Sequence, residues 1–198
     1  MKPLILASGS PRRAKILRDL GVEFEIVKTE APEVSIPHDP VCTVTENACA
    51  KLHAALATTS AALPFGRLGE ATLSGRSILA ADTIVWFNNR IYGKPRDLDE
   101  AKEFLRELSG QTHVVFTGVA FRAEDGAERT ACVESRVTFR ALSEEMIDEY
   151  VARVHPTDRA GAYDIDESGD LIVASYDGYY ENIMGLPVEP LRDFGILR

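Results

Sequence analysis

The segment Leu4-Ile5-Leu6-Ala7-Ser8-Gly9-Ser10-Pro11-Arg12-Arg13 constrains this chain more than any other. Leu4 to Ala7 is a short apolar run of the buried-strand type. Ser8-Gly9-Ser10 is a tight turn of small residues. Ser10 suits a helix N-cap, and Pro11 suits the first helical position, where its missing N–H costs nothing. Ala14, Ile16, Leu17 and Leu20 follow at helical spacing, and Gly21 is a natural stop. The segment therefore predicts strand, turn, helix. Arg12 and Arg13 break its local logic: two cations stand at the positive end of the helix dipole, each opposing it by roughly 0.3–1 kcal/mol. A solvated helix face with two chance arginines is the plain explanation. The chemical one is an anion, because free N–H groups at a helix start, a flexible glycine, two hydroxyls and two guanidiniums compose a phosphate site.

The rest of the chain limits what that anion can belong to. At 198 residues, 45% hydrophobic and 27% charged, the chain predicts one domain, or one domain with two lobes. No apolar run reaches the roughly 18 residues of a membrane span, and the N-terminal run is too short for a signal peptide, so a cytoplasmic protein with no membrane partner is expected. A net charge of −9 opposes binding to a nucleic acid polymer, so phosphate recognition has to be local. Cys42, Cys49 and Cys132 have neither paired nor metal-like spacing and fit a reducing compartment. His38, His53, His113 and His155 are scattered, which argues against zinc.

Val22 to Val27 alternates and predicts a strand, and the proline-rich stretch from Thr29 to Pro40 a loop. Thr45 is expected to cap a helix from Glu46 to about Ala57, with Asn47, Lys51 and Ala55 near one face. Thr58 to Ser77, rich in Gly, Ser and Thr, is expected to be a mobile loop. Ile78 to Phe87 is the most apolar run and predicts a central strand, turned by Asn88-Asn89 into Ile91-Tyr92 and then Gly93-Lys94-Pro95. Asp97 and Glu100 open a helix whose buried stripe ends at Leu108. Thr112 to Phe121 and Ala131 to Leu142 form an antiparallel pair about Asp125-Gly126. Ser143 caps a further helix, Arg159 to Asp166 is a compact loop, Leu171 to Ser175 a strand, and Asn182 to Pro187 a loop before a short last helix. The pattern is that of an α/β fold with a mixed sheet.

Among residues that carry chemistry, Asp82 is the sharpest. It interrupts the apolar strand, and a buried carboxylate needs a cation, a metal or a proton. It reads either as a structural Asp, bonded to backbone N–H groups or standing at a strand end in water, or as a metal ligand or general base at the mouth of the sheet. Lys94, framed by Gly93 and Pro95, and Lys51, on an Ala-rich helix, are unremarkable singly. Glu33 and Glu46 are more often solvated surface residues than metal carboxylates. A serine nucleophile at Ser8 or Ser10 lacks both a G-x-S-x-G elbow and a spaced histidine base. Taken together, an anion cradle, two arginines, two lysines and one buried carboxylate suit phosphoanhydride hydrolysis. That chemistry needs charge neutralisation, a divalent metal and a base for water, and no protein nucleophile.

The opening segment resembles that of the Maf family of nucleoside triphosphate pyrophosphatases. Further matches follow in order: Asn47-Ala48-x-x-Lys51, Ala81-Asp82-Thr83, Gly93-Lys94-Pro95, Leu108-Ser109-Gly110-x-x-His113 with Thr117-Gly118, Ala160-Gly161-Ala162-Tyr163, and Gly185-Leu186-Pro187. The resemblance covers nearly the whole chain. It implies a single 1–198 domain with the α/β fold of inosine triphosphate pyrophosphatases: an elongated mixed sheet, flanking helices and two lobes around a central cleft. It implies cleavage between the α and β phosphates, a divalent cation (Mg or Mn), and usually a homodimer. On this sequence it makes Asp82 the proton acceptor and a metal ligand with Glu33. Ser8, Arg12, Arg13, Lys51 and Lys94 would hold the triphosphate, beside Ser10 of the cradle. In the branch resembling dTTP/UTP hydrolases, specificity goes with an Arg at Arg13, a Thr at Thr83 and a Gln soon after Ala-Gly-Ala-Tyr. Here the last is Asp166, and a carboxylate only accepts hydrogen bonds whereas an amide also donates; Asp164 adds another charge nearby. The substrates implied are dTTP, UTP or modified pyrimidine nucleotides. A non-catalytic nucleotide-binding regulator of cell division or septum formation is the alternative that Asp166 leaves open.

Overall fold

The computed structural model describes residues 2–60 and 75–197. Within them lies a seven-stranded sheet of order β2-β1-β3-β5-β6-β7, with β4 paired to β3. The strands are β1 (Leu4–Leu6), β2 (Phe24–Ile26), β3 (Ile78–Phe87), β4 (Arg90–Tyr92), β5 (Thr112–Arg122), β6 (Glu128–Phe139) and β7 (Val173–Asp177). β1 runs parallel to β2 and β3, and every other pairing is antiparallel. The helices are α1 (Pro11–Asp19), α2 (Pro40–Ser60), α3 (Leu98–Leu108), α4 (Glu144–Val154), α5 (Gly169–Ile172), α6 (Tyr180–Ile183) and α7 (Val188–Asp193). The fold is α/β with a mixed sheet flanked by helices.

One detail of the pairing positions the site. β5 runs along β3 from Ile78↔Arg122 to Trp86↔Val114. The other edge of β3 is shared. β1 pairs with Ile78 and Leu79, β4 pairs with Val85 to Phe87, and the stretch from Ala80 to Ile84 has no strand partner there among the described residues. Because β1 is parallel and β4 antiparallel to β3, both chains run toward this gap. Ala7-Ser8 emerges from one side and Gly93-Lys94 from the other.

The side-chain alternation of β3 places the two faces of the sheet. On one face Leu79 and Ala81 pack with Leu6, Leu17, Val119 and Leu191, while Val85 packs with Leu105, Val115, Ile147 and Tyr163. Thr83 lies between these clusters. On the other face α2 covers the sheet: Ile78 and Ala80 meet Leu52 and Ala55, and Ile84 meets Val44 and Phe116. Asp82 lies between those two. A polar pair thus interrupts the apolar packing on both faces at the level of the gap.

Several boundaries differ from the sequence reading. α2 starts at Pro40, not Thr45: Asp39 Oδ1 accepts the Cys42 N–H at 2.8 Å, and Pro40 takes the first helical position. Thr45 is interior and donates its hydroxyl to the Val41 carbonyl at 2.8 Å. β6 begins at Glu128 because the hairpin keeps register out to Arg122↔Glu128, and it ends at Phe139. β7 begins at Val173, since Gly169–Ile172 forms a helical turn, and α6 stands where the last loop was expected to start. Of the loop expected over 58–77, α2 takes residues up to Ser60, and 61–74 lie outside the described residues. Among the described residues no helix is long and apolar enough to cross a membrane.

Candidate active site

A cavity of about 380 Å³ opens at the gap in the sheet. Ser8 and Ser10 reach it from the β1–α1 turn, Arg12 and Arg13 from the first turn of α1, Glu33 from the loop before α2, and Lys51 from α2. Asp82 and Thr83 reach it from β3, and Lys94 from the end of β4. The volume lies within the range of small-molecule sites. Of the residues picked out by sequence, Asp166 and Glu46 are not among those that line it.

Asp82 is buried, and its partners come from α2. Lys51 Nζ lies 2.5 Å from Oδ1, and Asn47 Nδ2 donates to Oδ2 at 3.0 Å. The same ammonium lies 2.9 Å from Glu33 Oε1. Asn47 also holds the Glu33 loop, through the Val34 N–H at 2.8 Å and the Val34 carbonyl at 3.1 Å. Burial alone would raise the pKa of Glu33. The hydrogen bond and charge of Lys51, with Lys94 and Arg13 adding, outweigh that and hold it below the ordinary value. α2 comes this close because Gly118 faces it. A Cβ there would stand 2.4 Å from the Val44 carbonyl oxygen. Gly118 is the β5 residue directly opposite Asp82.

Arg13 turns inward instead of out to solvent. Its Nε donates to the Gly185 carbonyl at 2.7 Å, Nη1 to Ser8 Oγ at 3.1 Å and Nη2 to Thr83 Oγ1 at 3.0 Å. Burial lowers its pKa to about 10, with Asp82 pulling the other way, so it stays cationic at neutral pH. Gly185, at φ 104°, adopts a backbone that side chains resist, which lets its carbonyl face the guanidinium. Thr83 also meets Thr117 Oγ1 at 3.0 Å, and the Thr117 hydroxyl donates to the Asn182 carbonyl at 3.1 Å. Ser10 stands at the N-cap of α1, but its hydroxyl makes no capping bond. The anomaly of two arginines in one turn resolves into a division of labour. Arg13 organises the floor of the cavity, and Arg12 spans to its far wall.

That far wall is the loop through residues 156–168, and Asp164 is its anchor. Asp164 Oδ2 accepts from Arg12 Nη1 and from Arg159 Nε, each at 3.0 Å, and Oδ1 accepts from the Asp166 N–H at 2.9 Å. Burial would raise its pKa, but Arg12, the Asp166 N–H and Arg159 together hold it low. Tyr150 Oη accepts the Asp164 N–H at 2.8 Å. Tyr163, which lines the cavity, is held by His113 Nε2 at 3.0 Å. His113 is buried with its pKa lowered to about 3, and the described contacts give neither it nor Ser8 the other as a partner. Asp166 lies outside, with Tyr180 Oη donating to Oδ1 at 3.1 Å and Lys15 3.7 Å from Oδ2. The sequence reading saw Asp164 only as an added charge. Its signal was an acid directly after the small residues of Ala160-Gly161-Ala162-Tyr163.

Two carboxylates that line the cavity, Asp82 and Glu33, share the Lys51 ammonium, at 2.5 and 2.9 Å. Among the described residues no group of three or more His, Cys, Asp or Glu side chains is placed to hold a metal ion. Two hard oxygen donors still suit Mg²⁺, which is commonly held by one or two carboxylates with water and substrate phosphates completing its shell.

Fold and cavity together define an α/β protein whose cleft gathers four cationic side chains around a buried carboxylate. Residues 3–194 match the family described as Maf-like protein, and the chain belongs to that family. It is 42% identical over 195 residues to a dTTP/UTP pyrophosphatase of Bacillus cereus (strain ATCC 10987 / NRS 248), covering 96% of this chain and 87% of the relative. It is likewise 42% identical over 195 residues to a dTTP/UTP pyrophosphatase of Bacillus anthracis (strain CDC 684 / NRRL 3495), covering 96% of this chain and 93% of that one. A crystal structure of a nucleoside-triphosphatase, dITP/XTP pyrophosphatase, from Mycobacterium abscessus aligns with a TM-score of 0.40 at 16% identity, over 70% of this chain and 73% of that one.

Proposed function

We propose that the protein hydrolyses the α–β phosphoanhydride of pyrimidine nucleoside triphosphates, dTTP and UTP foremost, releasing the nucleoside monophosphate and diphosphate. The observation that carries this is the convergence of Arg12, Arg13, Lys51 and Lys94 on one cavity around the buried carboxylate of Asp82. The names of the Bacillus relatives favour these nucleotides. Ser8, Ser10, Arg12 and Lys94 bind the phosphate chain, and Arg13 fixes Ser8 and Thr83 where substrate meets the floor. Water attacks the α phosphorus and loses its proton to Asp82. The bond from the α phosphorus to the bridging oxygen breaks, and diphosphate leaves with the bonding electrons. A divalent cation held by Asp82 and Glu33 would neutralise phosphate charge when bound. Asn47 keeps Asp82 oriented, and Lys51 must release it before it accepts a proton.

The test is a panel of canonical and modified nucleotides with Mg²⁺ or Mn²⁺, scored for monophosphate and diphosphate. Reaction in ¹⁸O-labelled water is expected to place the label in the monophosphate. Triphosphate binding without turnover on any base would instead favour the non-catalytic regulator. Asp166, whose departure motivates that alternative, pairs with Lys15 and Tyr180 away from the cavity lining. The homodimer belongs to the same proposal, and light scattering of the purified protein would test it.

A further inference from the structure

Lys28 belongs to no motif of the sequence, and strand register gives it a place. β2 runs parallel to β1 with Leu6 opposite Ile26, and the Val27 N–H continues the ladder by donating to the Leu6 carbonyl at 3.0 Å. The residue after Val27 therefore comes abreast of the Ser8-Gly9-Ser10 turn. Its side chain crosses that turn: Cγ, Cδ and Cε lie 3.7, 3.8 and 3.8 Å from where a Cβ on Gly9 would stand. Gly9 and the next residue along, Thr29, both line the cavity, and Lys28 is exposed beside them. Arg12 is held by Asp164, Arg13 by Gly185, Ser8 and Thr83, and Lys51 by Asp82 and Glu33. Among the described residues the Lys28 side chain has no hydrogen bond or ion pair.

Resting on the nucleotide reading above, we propose that Lys28 is a further substrate-binding residue, whose ammonium reaches across the Ser8-Gly9-Ser10 turn to the terminal phosphates of the triphosphate. Sheet order decides which phosphates these are. Asp82, the proton acceptor of that reading, stands on β3, so the α phosphorus lies there. β1 and then β2 follow outward, with neighbouring strands roughly 4.8 Å apart. The turn and Lys28 thus serve the end of the chain that departs as diphosphate. The turn opens α1, where backbone N–H groups lack intrahelical acceptors and the Ser10 hydroxyl makes no capping bond. Because Gly9 has no side chain, the lysine stem lies along the turn and carries its charge toward the phosphate oxygens. An ammonium is a point charge that needs no fixed angle, which suits a terminal phosphate.

The experiment is calorimetric titration of wild type, Lys28→Met and Lys28→Arg with three probes: the α,β-methylene analogue of dTTP, inorganic diphosphate and dTMP. Mg²⁺ is present throughout, at low ionic strength, where an exposed ion pair is least screened. Lys28→Met keeps the unbranched stem and removes the charge. It is expected to weaken the analogue and diphosphate by at least about fivefold each and to leave dTMP within about twofold of wild type. Lys28→Arg is expected to recover most of the loss, and thermal melts to show all three proteins equally folded. Unchanged affinity of Lys28→Met for both the analogue and diphosphate makes Lys28 a solvated surface residue and overturns the proposal. Equal weakening of dTMP also overturns it, because the charge would then not act on the terminal phosphates. Failure of the analogue and dTMP to bind wild type overturns the nucleotide reading instead, and the diphosphate titrations still decide the role of Lys28.

Discussion

Asp82 is where single-residue chemistry is concentrated. An amide at this position keeps the shape and the place beside Asn47 but cannot take a proton from water. Asp82→Asn is expected to lower kcat by about 10²–10⁴-fold while nucleotide binding, measured by calorimetry, changes little. Retained turnover would remove Asp82 from the mechanism. His113 makes a different residue-scale prediction. Its pKa is lowered from 6.5 to about 3 by burial, so the unfolded chain takes up the proton first. The stability this group contributes is complete above about pH 6.5 and is lost as pH falls toward 3, at about 1.4 kcal/mol per pH unit. Urea unfolding at neutral and mildly acid pH should show His113→Phe to be less stable than wild type at neutral pH, because Tyr163 loses its partner. The variant should also lose less stability on acidification.

At the scale of elements, the contact that matters is α2 against β5. Asn47 and Lys51 reach Asp82 only because α2 lies directly on Gly118. Gly118→Ala puts a methyl into the Val44 backbone, which cannot move aside as a flexible side chain can. The variant is expected to lose about 1–3 kcal/mol of stability and, from displacement of Lys51, at least about tenfold in kcat/KM. Thermal melts and steady-state kinetics check both, and unchanged kinetics with a lowered Tm would mean that α2 shifts without carrying Lys51 away. The sequence was informative about this element only in part. The Ala-rich run identified the helix and the face shared by Asn47 and Lys51. Its start was misplaced by Thr45, because a hydroxyl that bonds back to the preceding turn is indistinguishable in sequence from one that caps.

For the molecule as a whole, the link to test is the one across the cavity. Arg12 belongs to α1 and Asp164 to the loop after α4, 152 residues further along the chain, and their 3.0 Å contact joins the two walls. Asp164→Asn removes the charge that holds Arg12 and Arg159 together. It is expected to raise hydrogen exchange across 156–168 and to raise KM several-fold with kcat nearly unchanged. A matching fall in kcat would place Asp164 in the chemistry instead of in the wall.

The chain's sequence determined the elements and their chemistry. The strand–turn–helix opening, the apolar strand broken by Asp82, the lysine framed by Gly93 and Pro95 and the motif order that marks the family are all local, and local pattern depends on neighbours a few positions away. The tertiary structure decided which of these residues meet. It brought the ends of β1 and β4 to one gap in β3, turned Arg13 inward, gave Lys51 two carboxylates, admitted Asp164 to the cavity and left Asp166 outside it. Those outcomes depend on strand order, on the register that sets Gly118 beside Asp82, and on contacts between residues far apart in sequence. No short-range spacing encodes them.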